Sequence, residues 1–403
     1  LTENNLLSQN QHGFRARFST VTQLLGFTHD IASTLNDRGQ VDAIFIYYSK
    51  AFDTVCHNKL LLKLKAFLRG TRGIRLLSWL SDYLNLRQQF VAFNNSHSSS
   101  LPVTSGVPQG SVLGPLLFLI YLNDVVEITK NTKVKLRLYA DDCVLYSCIS
   151  TSRDQIQLNN VFSSFRTWSS TWQMALNLNK TVSMTFTNKK EPLRFSYGQN
   201  MKHVNEYKYL GVTFSPNLKW HKHINLICSK ALRKLGFLKR TLKDATHECK
   251  LTAYKSLIRP VLEYASVVWS PHCACDIAHL EGVQKKAIRF IYHRYDHNFS
   301  PSSHAVRLSL KSLEHRRTCE RIGTLHKIVN KIITIDMPFS FANSVANTRR
   351  SNPINITPFM PFLDCFKFSF FPFTVELWNN LDVSLRKLPT NSFLNELPNH
   401  VFC

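Results

Sequence analysis

Residues 133–148 read KVKLRLYADDCVLYSC, two alternating runs around an acidic centre. Val134, Leu136 and Leu138 fall on one face of the first run, and Lys135, Arg137 and Tyr139 on the other. The pattern predicts a β-hairpin with Asp141 and Asp142 at its tip. Adjacent residues project to opposite sides, so one carboxylate can enter a shared metal site while its neighbour supports it or reaches a second ion. Hard oxygen ligands of this kind suit Mg2+, which keeps positions open for water and phosphate oxygens, as phosphoryl transfer by paired divalent ions requires. A solvated Asp-Asp turn would use the same two residues.

Upstream, residues 105–124 read SGVPQGSVLGPLLFLIYLND. Gly106, Gly110 and Gly114 are expected to allow close approach of the backbone to a ligand, Pro108 to stiffen the loop, and Gln109 to offer an amide at its apex. The stretch after Pro115 reads as a buried helix supporting that loop; the apolar run 112–122 is too short to cross a bilayer. Either feature alone fits a glycine-rich connector or a polar turn, whereas the order loop, apolar helix, Asp-Asp hairpin is far more specific.

Working outward, Val21, Leu24, Leu25, Thr28, Ile31 and Leu35 predict a helix over 19–36. A strand is expected over 41–48, then a helix from Ala51 carrying Leu60, Leu61, Leu64 and Phe67, and a polar loop over 94–100. From about residue 219 the three- and four-residue spacing of Ile224, Ile227, Ala231, Leu235, Leu238 and Leu242 predicts a helix with one buried stripe. A boundary is thus expected near 190–220. Beyond 333, alternating Pro and Phe predict irregular structure with one strand pair.

Fifty Lys and Arg against 26 Asp and Glu leave a net charge of +24, which favours a polyanionic partner, nucleic acid before an acidic membrane surface. Between 219 and 259 stand 11 Lys/Arg and two acids, interleaved with Trp220, His221 and His223, a surface expected to meet a duplex through its phosphates. A merely solvated helix face is the alternative. Ten cysteines without repeating spacing point to a reducing, intracellular setting, nucleus or cytoplasm. The HCAC stretch at 272–275 lacks the paired spacing of a zinc site and reads as buried or loop cysteines.

The order QHGFR (11–15), SKAFDTVCHNKLL (49–61), SGVPQGSVLGPLLF (105–118), YADD (139–142), LNLNK (176–180) and YLGVTF (209–214), followed by LIRPVLEYASVVWSPH (257–272) and LWNNL (377–381), resembles the reverse transcriptases of non-LTR, LINE-type retrotransposons. The resemblance implies an α+β right-hand polymerase: a palm of antiparallel sheet with packed helices, a helical thumb and partial fingers. Its expected limits are residual fingers at 1–40, palm at 41–215, basic thumb at 216–332 and a Phe/Pro-rich extension at 333–403. It further implies that Asp141 and Asp142 are catalytic carboxylates binding two Mg2+ ions and that Lys180 protonates the leaving pyrophosphate. Phe52 would stack under the incoming sugar, and Gln109 and Gly110 would line the nucleotide site. Leu210 and Gly211 would support the primer end, with Arg233, Lys234, Lys239 and Arg240 contacting primer and template. The implied partners are an RNA template, a DNA primer and deoxynucleoside triphosphates, and no membrane.

Two departures from that pattern matter. In the family, the strand before SKAF ends in a metal-binding Asp, and here Tyr47 holds that position. A phenol is neutral and bulky at pH 7 and cannot replace a bridging carboxylate, and neither Asp42 nor Asp53 stands at the matching point. Weakened metal binding and impaired catalysis are therefore expected. The chain also starts just before QHGFR, at LTENNLL, as expected of an N-terminally truncated copy lacking upstream endonuclease and finger segments. The rival expectations are a non-catalytic nucleic-acid-binding remnant and a non-functional fragment.

Overall fold

The computed structural model describes residues 6–199, 201–335, 337–341 and 354–401, so part of the Phe/Pro-rich extension, 342–353, lies outside the described residues. The chain divides into two units, one made of Leu1–Gln23, Gly39–Thr185 and Lys189–Asn205, the other of Leu24–Arg38, Phe186–Asn188 and Glu206–Cys403.

Helix α1 (Thr20–Asn36) matches the predicted 19–36 stripe, with Leu24, Leu25, Ile31 and Leu35 fully buried. In the first unit β1 (Gln40–Ile46) is buried at every residue, as a central strand with both faces covered should be. It is followed by α2 (His57–Phe67), α3 (Gly70–Leu84), four two-residue strands β2 (Gln88–Gln89), β3 (Ala92–Phe93), β4 (Ser96–His97) and β5 (Leu101–Pro102), and α4 (Leu113–Leu122). Then come β6 (Lys135–Tyr139), β7 (Asp142–Cys148), α5 (Ser152–Thr171), β8 (Val182–Thr187) and β9 (Lys202–His203). The sheet order is β6-β7-β1-β8-β9. Strand β7 runs antiparallel to both β6 and β1, and β8 pairs in parallel with β9. Helices α2, α4 and α5 close the core through Leu60, Leu64, Leu117, Phe118, Leu158, Phe162 and Phe165.

Three expectations are corrected here. The strand stops at Ile46 rather than residue 48, and residues 51–54 form turns before α2 begins at His57. The polar stretch 94–100 is a loop only in part: Asn94-Asn95 turn and 98–100 are irregular, but Ser96–His97 form β4, and β2 pairs with β5 and β3 with β4 in a ribbon whose tip is Asn94-Asn95, both with positive φ. Two asparagines supply the left-handed conformation that a two-residue hairpin turn needs. Beyond 333 the described residues hold one isolated bridge, Phe341 to Ile356, and from residue 364 they are largely helical, with α13 (Asp364–Lys367), α14 (Phe370–Asn379), α15 (Val383–Arg386) and α16 (Thr390–His400). Pro372 sits in the first turn of α14, where its missing N–H costs no helical bond.

The second unit, which takes in most of α1, contains the hairpin β10 (Tyr207–Tyr209) and β11 (Val212–Phe214). Phe27 of α1 packs edge-on against Phe186, Tyr209 and Phe214, with ring centroids 5.5–6.0 Å apart. Helix α6 (His221–Thr241) buries Ile224, Ala231, Leu235 and Leu238 of the predicted stripe. Short helices α7 (His247–Ala253), α8 (Arg259–Glu263), α9 (Ser266–Trp269) and α11 (Pro301–Arg307) accompany the longer α10 (Ala274–Tyr292) and α12 (Leu313–Val329).

Candidate active site

The hairpin β6–β7 forms as the alternation requires: Val134, Leu136 and Leu138 are buried, while Lys135 is exposed. Its register closes on Tyr139 opposite Asp142, so the two-residue tip is Ala140-Asp141 and Asp142 already belongs to β7. The one-residue difference from the expected Asp-Asp tip arises because Ala140, at φ 53°, takes the left-handed turn position. Burial raises the pKa of Asp141. Asp142, open to solvent on one side and crowded by protein on the other, is pushed up to about 6, by burial first and by the Asp141 charge second. Two crowded carboxylates resisting ionisation are an arrangement that a cation would relieve.

The tip is held from a direction the motifs did not announce. The Gln11 side chain accepts the Ala140 N–H at 2.9 Å and the Gly13 N–H at 2.7 Å, and its amide reaches the Ala140 carbonyl at 3.5 Å. His12 N–H donates to the Leu138 carbonyl, and Leu138 N–H to Asn10. Gly13 is required by contact, since a Cβ there would stand 2.4 Å from the Ala140 nitrogen. QHGFR thus works as a clamp on the acidic hairpin, with Gln11 bonded to its tip.

Strand β1 brings position 47 to the same end of the sheet. Ile46 pairs with Cys143, so Tyr47 comes one step further along, alongside Asp142. Its backbone is fixed by the segment that carries Lys180: the Tyr47 N–H donates to Thr181 Oγ1, and Asn177 N–H donates to the Tyr47 carbonyl. The Tyr47 side chain is 38% exposed, and Lys180 Nζ lies 4.7 Å from its ring centroid. Tyr48 points the other way, buried, its hydroxyl 3.2 Å from Ser169 Oγ.

Neither neighbouring acid substitutes. Asp42 pairs with Ser147, roughly 13 Å down the strand from Ile46 at ordinary strand rise, and is fully buried. Its carboxylate accepts bonds from Gln40, Thr185, Gln155 and Tyr197 at 2.5–3.0 Å. Asp53 accepts a 2.7 Å bond from Gln109 Nε2. Among the described residues no group of three or more His, Cys, Asp or Glu side chains is placed to hold a metal ion. Two carboxylates and a phenol do not fit the metal set that the motif order implies.

The SGVPQG loop folds onto the SKAFD turn. Gly106 N–H donates to Val55, Val107 N–H to Phe52, and His57 Nε2 lies 2.7 Å from the Gly106 carbonyl. Phe52 stacks on Phe118 of α4 at 4.2 Å and meets Phe14 edge-on. The glycines divide differently from expectation: Gly106 is pressed against the Asp53 backbone and Gly114 against the Pro108 carbonyl, so both serve the chain's own packing. Gly110 alone, at φ 82°, faces open space.

In the second unit Leu210 and Gly211 form the tip of the β10–β11 hairpin, with the Tyr264 hydroxyl donating to the Leu210 carbonyl. Arg233, Lys234 and Arg240 are exposed on α6, while Lys239 lies 4.8 Å over the Tyr295 ring. Two members of the basic segment are turned inward: Lys250 donates to the Lys243 carbonyl, and His223 accepts the Thr213 N–H, its pKa lowered to about 4 by burial and by Lys208. His223 is therefore neutral and no part of a phosphate-binding face.

The family model described as reverse transcriptase (RNA-dependent DNA polymerase) matches residues 1–214. The chain belongs to the reverse transcriptase family. The resemblance drawn from motif order is borne out by relatives from mobile elements of Drosophila melanogaster. The probable RNA-directed DNA polymerase from transposon X-element is 31% identical over 70% of this chain and 32% of its own length. The RNA-directed DNA polymerase from mobile element jockey is 29% identical over 70% and 31%. This reverse transcriptase chain thus spans about a third of the length of the curated relatives it matches. An apo telomerase from Candida Tropicalis aligns over 74% of this chain and 48% of its own at 13% identity and a TM-score of 0.42, too loose a likeness to add to the assignment.

Proposed function

We propose that this chain is the polymerase part of a retrotransposon reverse transcriptase, whose family reaction extends a DNA primer on an RNA template from deoxynucleoside triphosphates, and that the reaction is impaired in this copy. The observation that carries the impairment is Tyr47, one step beyond the Ile46–Cys143 pair and alongside Asp142, where the motif order calls for a carboxylate. Asp141 and Asp142 are the remaining ligands for the two Mg2+ ions the family chemistry uses, and binding of those ions is weakened by the missing third carboxylate. Loss of one member of a catalytic unit costs on the order of 10^3 or more in rate. Lys180 is affected as well, because the ring that replaces the carboxylate holds its ammonium.

On this reading Phe52, backed by Phe118, bounds the sugar site, and Gln109 and Gly110 line the nucleotide site. Leu210 and Gly211 support the primer end, and Arg233, Lys234, Lys239 and Arg240 meet the primer–template backbone. The test is primer extension on an RNA template with Mg2+ and deoxynucleotides, comparing the chain with Tyr47→Asp. Extension by the variant alone supports the reading, and comparable extension by both overturns it.

A second reading, a nucleic-acid-binding protein without catalysis, is favoured by the exposed cations of α6, which do not depend on Tyr47. Binding of an RNA–DNA hybrid that falls steeply with salt supports it. Unchanged binding after neutralising Arg233, Lys234 and Arg240 would sink it.

A further inference from the structure

Helix α3 carries a surface that the motif order leaves without a role. It buries Gly73, Leu80 and Leu84, and its opposite side is open to solvent. Arg72, Arg75, Trp79 and Tyr83 follow at intervals of three, four and four residues, the spacing that aligns side chains along one helix face. Trp79 is 52% exposed and stacks on Tyr83, with centroids 5.8 Å apart and planes 17° from parallel. The Arg87 guanidinium lies over the Tyr83 ring as well, 4.9 Å from its centroid. The result is a ladder of cation, cation, indole, phenol and cation.

The charge around the ladder is one-sided. Lys65, Arg69, Arg72, Arg75 and Arg87 are met by one acid, Asp82, between residues 65 and 104. Arg69, Arg72 and Arg75 are exposed, and none of them forms an ion pair among the described residues. Water solvates exposed guanidiniums well, so the arginines alone name no ligand; what singles out this face is that they stand beside an exposed, preordered aromatic stack, and the chemistry that uses both is a phosphate backbone bearing unpaired bases. A duplex hides its base faces inside the stack and would engage the arginines alone.

We propose that this face of α3 binds single-stranded nucleic acid, with Trp79 as a base-stacking platform and Arg72 and Arg75 on the adjoining phosphates. The surface lies wholly within the first unit and requires neither catalysis nor the cations of α6. It is distinct from the site of Asp141, Asp142 and Tyr47, so failure of the polymerase reading leaves it standing, and the reverse holds too.

The test is fluorescence anisotropy of short labelled oligonucleotides, single-stranded RNA, single-stranded DNA and an RNA–DNA hybrid, titrated with the whole chain between about 50 and 200 mM salt. Trp79→Ala is expected to weaken single-strand binding by about 5- to 150-fold per lost base stack, and to leave hybrid binding unchanged. Trp79→Phe, which keeps a stacking ring, should recover most of the loss. The double variant Arg72→Gln with Arg75→Gln should flatten the dependence of log affinity on log salt by about 1.4, two single-strand phosphate contacts. The arms with RNA and DNA show which strand is preferred. Unchanged single-strand affinity in both the Trp79→Ala and the double arginine variant overturns the proposal. So does a Trp79→Ala variant that loses self-association in sedimentation while binding oligonucleotides as before, which would assign the face to a second copy of the chain.

Discussion

Lys180 Nζ lies 4.7 Å from the centroid of the Tyr47 ring, while the backbone of Tyr47 is bonded on both sides by Asn177 and Thr181. On the proposed reading one residue therefore has two consequences: position 47 offers no carboxylate to the site of Asp142, and the lysine expected to serve the leaving group lies on the aromatic face. A cation–π contact at an exposed site contributes about 0.5–1 kcal/mol. Tyr47→Leu should accordingly destabilise the chain by no more than about 1 kcal/mol in urea unfolding, because the backbone clasp does not involve the ring. A loss several times larger would show that the phenol supports the fold.

Asp142 makes stability fall with pH. Its pKa is raised in the fold to about 6, from an ordinary 3.8, so the folded state holds the proton more tightly than the unfolded chain. The stability this proton provides is complete below pH 4 and is lost as pH rises through 6. Asp142→Asn removes the dependence. At pH 7 the variant should be more stable than the parent by on the order of 1 kcal/mol, a value reduced for the solvent that reaches the group. At pH 4 the two should unfold alike. Urea midpoints measured between pH 4 and 8 decide it, and a parallel pair of curves would contradict the account.

Gln11 should matter as much as its position implies. It is 3% exposed and is the side chain that pairs with Ala140 and Gly13. Gln11→Ala leaves the buried Ala140 N–H without its acceptor, a cost of about 1–3 kcal/mol. Hydrogen exchange should show the Ala140 amide opening faster than the amides in the middle of β7. If Ala140 keeps its protection, QHGFR does not clamp the hairpin.

Asp42 is a structural acid and not a reserve metal ligand. Four donors converge on its buried carboxylate, from Gln40, Thr185, Gln155 and Tyr197. Asp42→Asn places an NH2 group against at least one of those donors and should cost about 3 kcal/mol or more, seen as a lower unfolding midpoint. In a Tyr47→Asp background, the Mg2+ dependence of that midpoint should be unaffected by the Asp42 change. A shifted Mg2+ dependence would place Asp42 at the metal site.

The hairpin, the long amphipathic helices and the buried helix after Pro115 were legible because each is dictated by a local period, two for β6 and β7 and 3.6 for α1 and α6. The ribbon over 88–102 was hidden because its strands are two residues long and fully exposed, so no buried face leaves an apolar trace in the sequence. The helices after residue 363 were hidden because Pro and Phe read locally as irregular chain, whereas packing of Phe370, Phe371, Trp378 and Phe393 decides the outcome. Of the site, Asp141, Asp142, Tyr47 and Lys180 could be named from motif order. The bond between Gln11 and Ala140 could not, since 129 residues separate the partners and a glutamine carries no period of its own.

Single-nucleotide incorporation on an RNA template with Mg2+ shows whether position 47 lacks a carboxylate that the reaction needs. Three forms of the chain should be compared: the parent, Tyr47→Asp and Tyr47→Asn, the last removing the ring without supplying a charge. The account predicts incorporation by Tyr47→Asp at a rate on the order of 10^3 or more above both others. Equal rates in the parent and Tyr47→Asp, or a Tyr47→Asn variant as active as Tyr47→Asp, would contradict it.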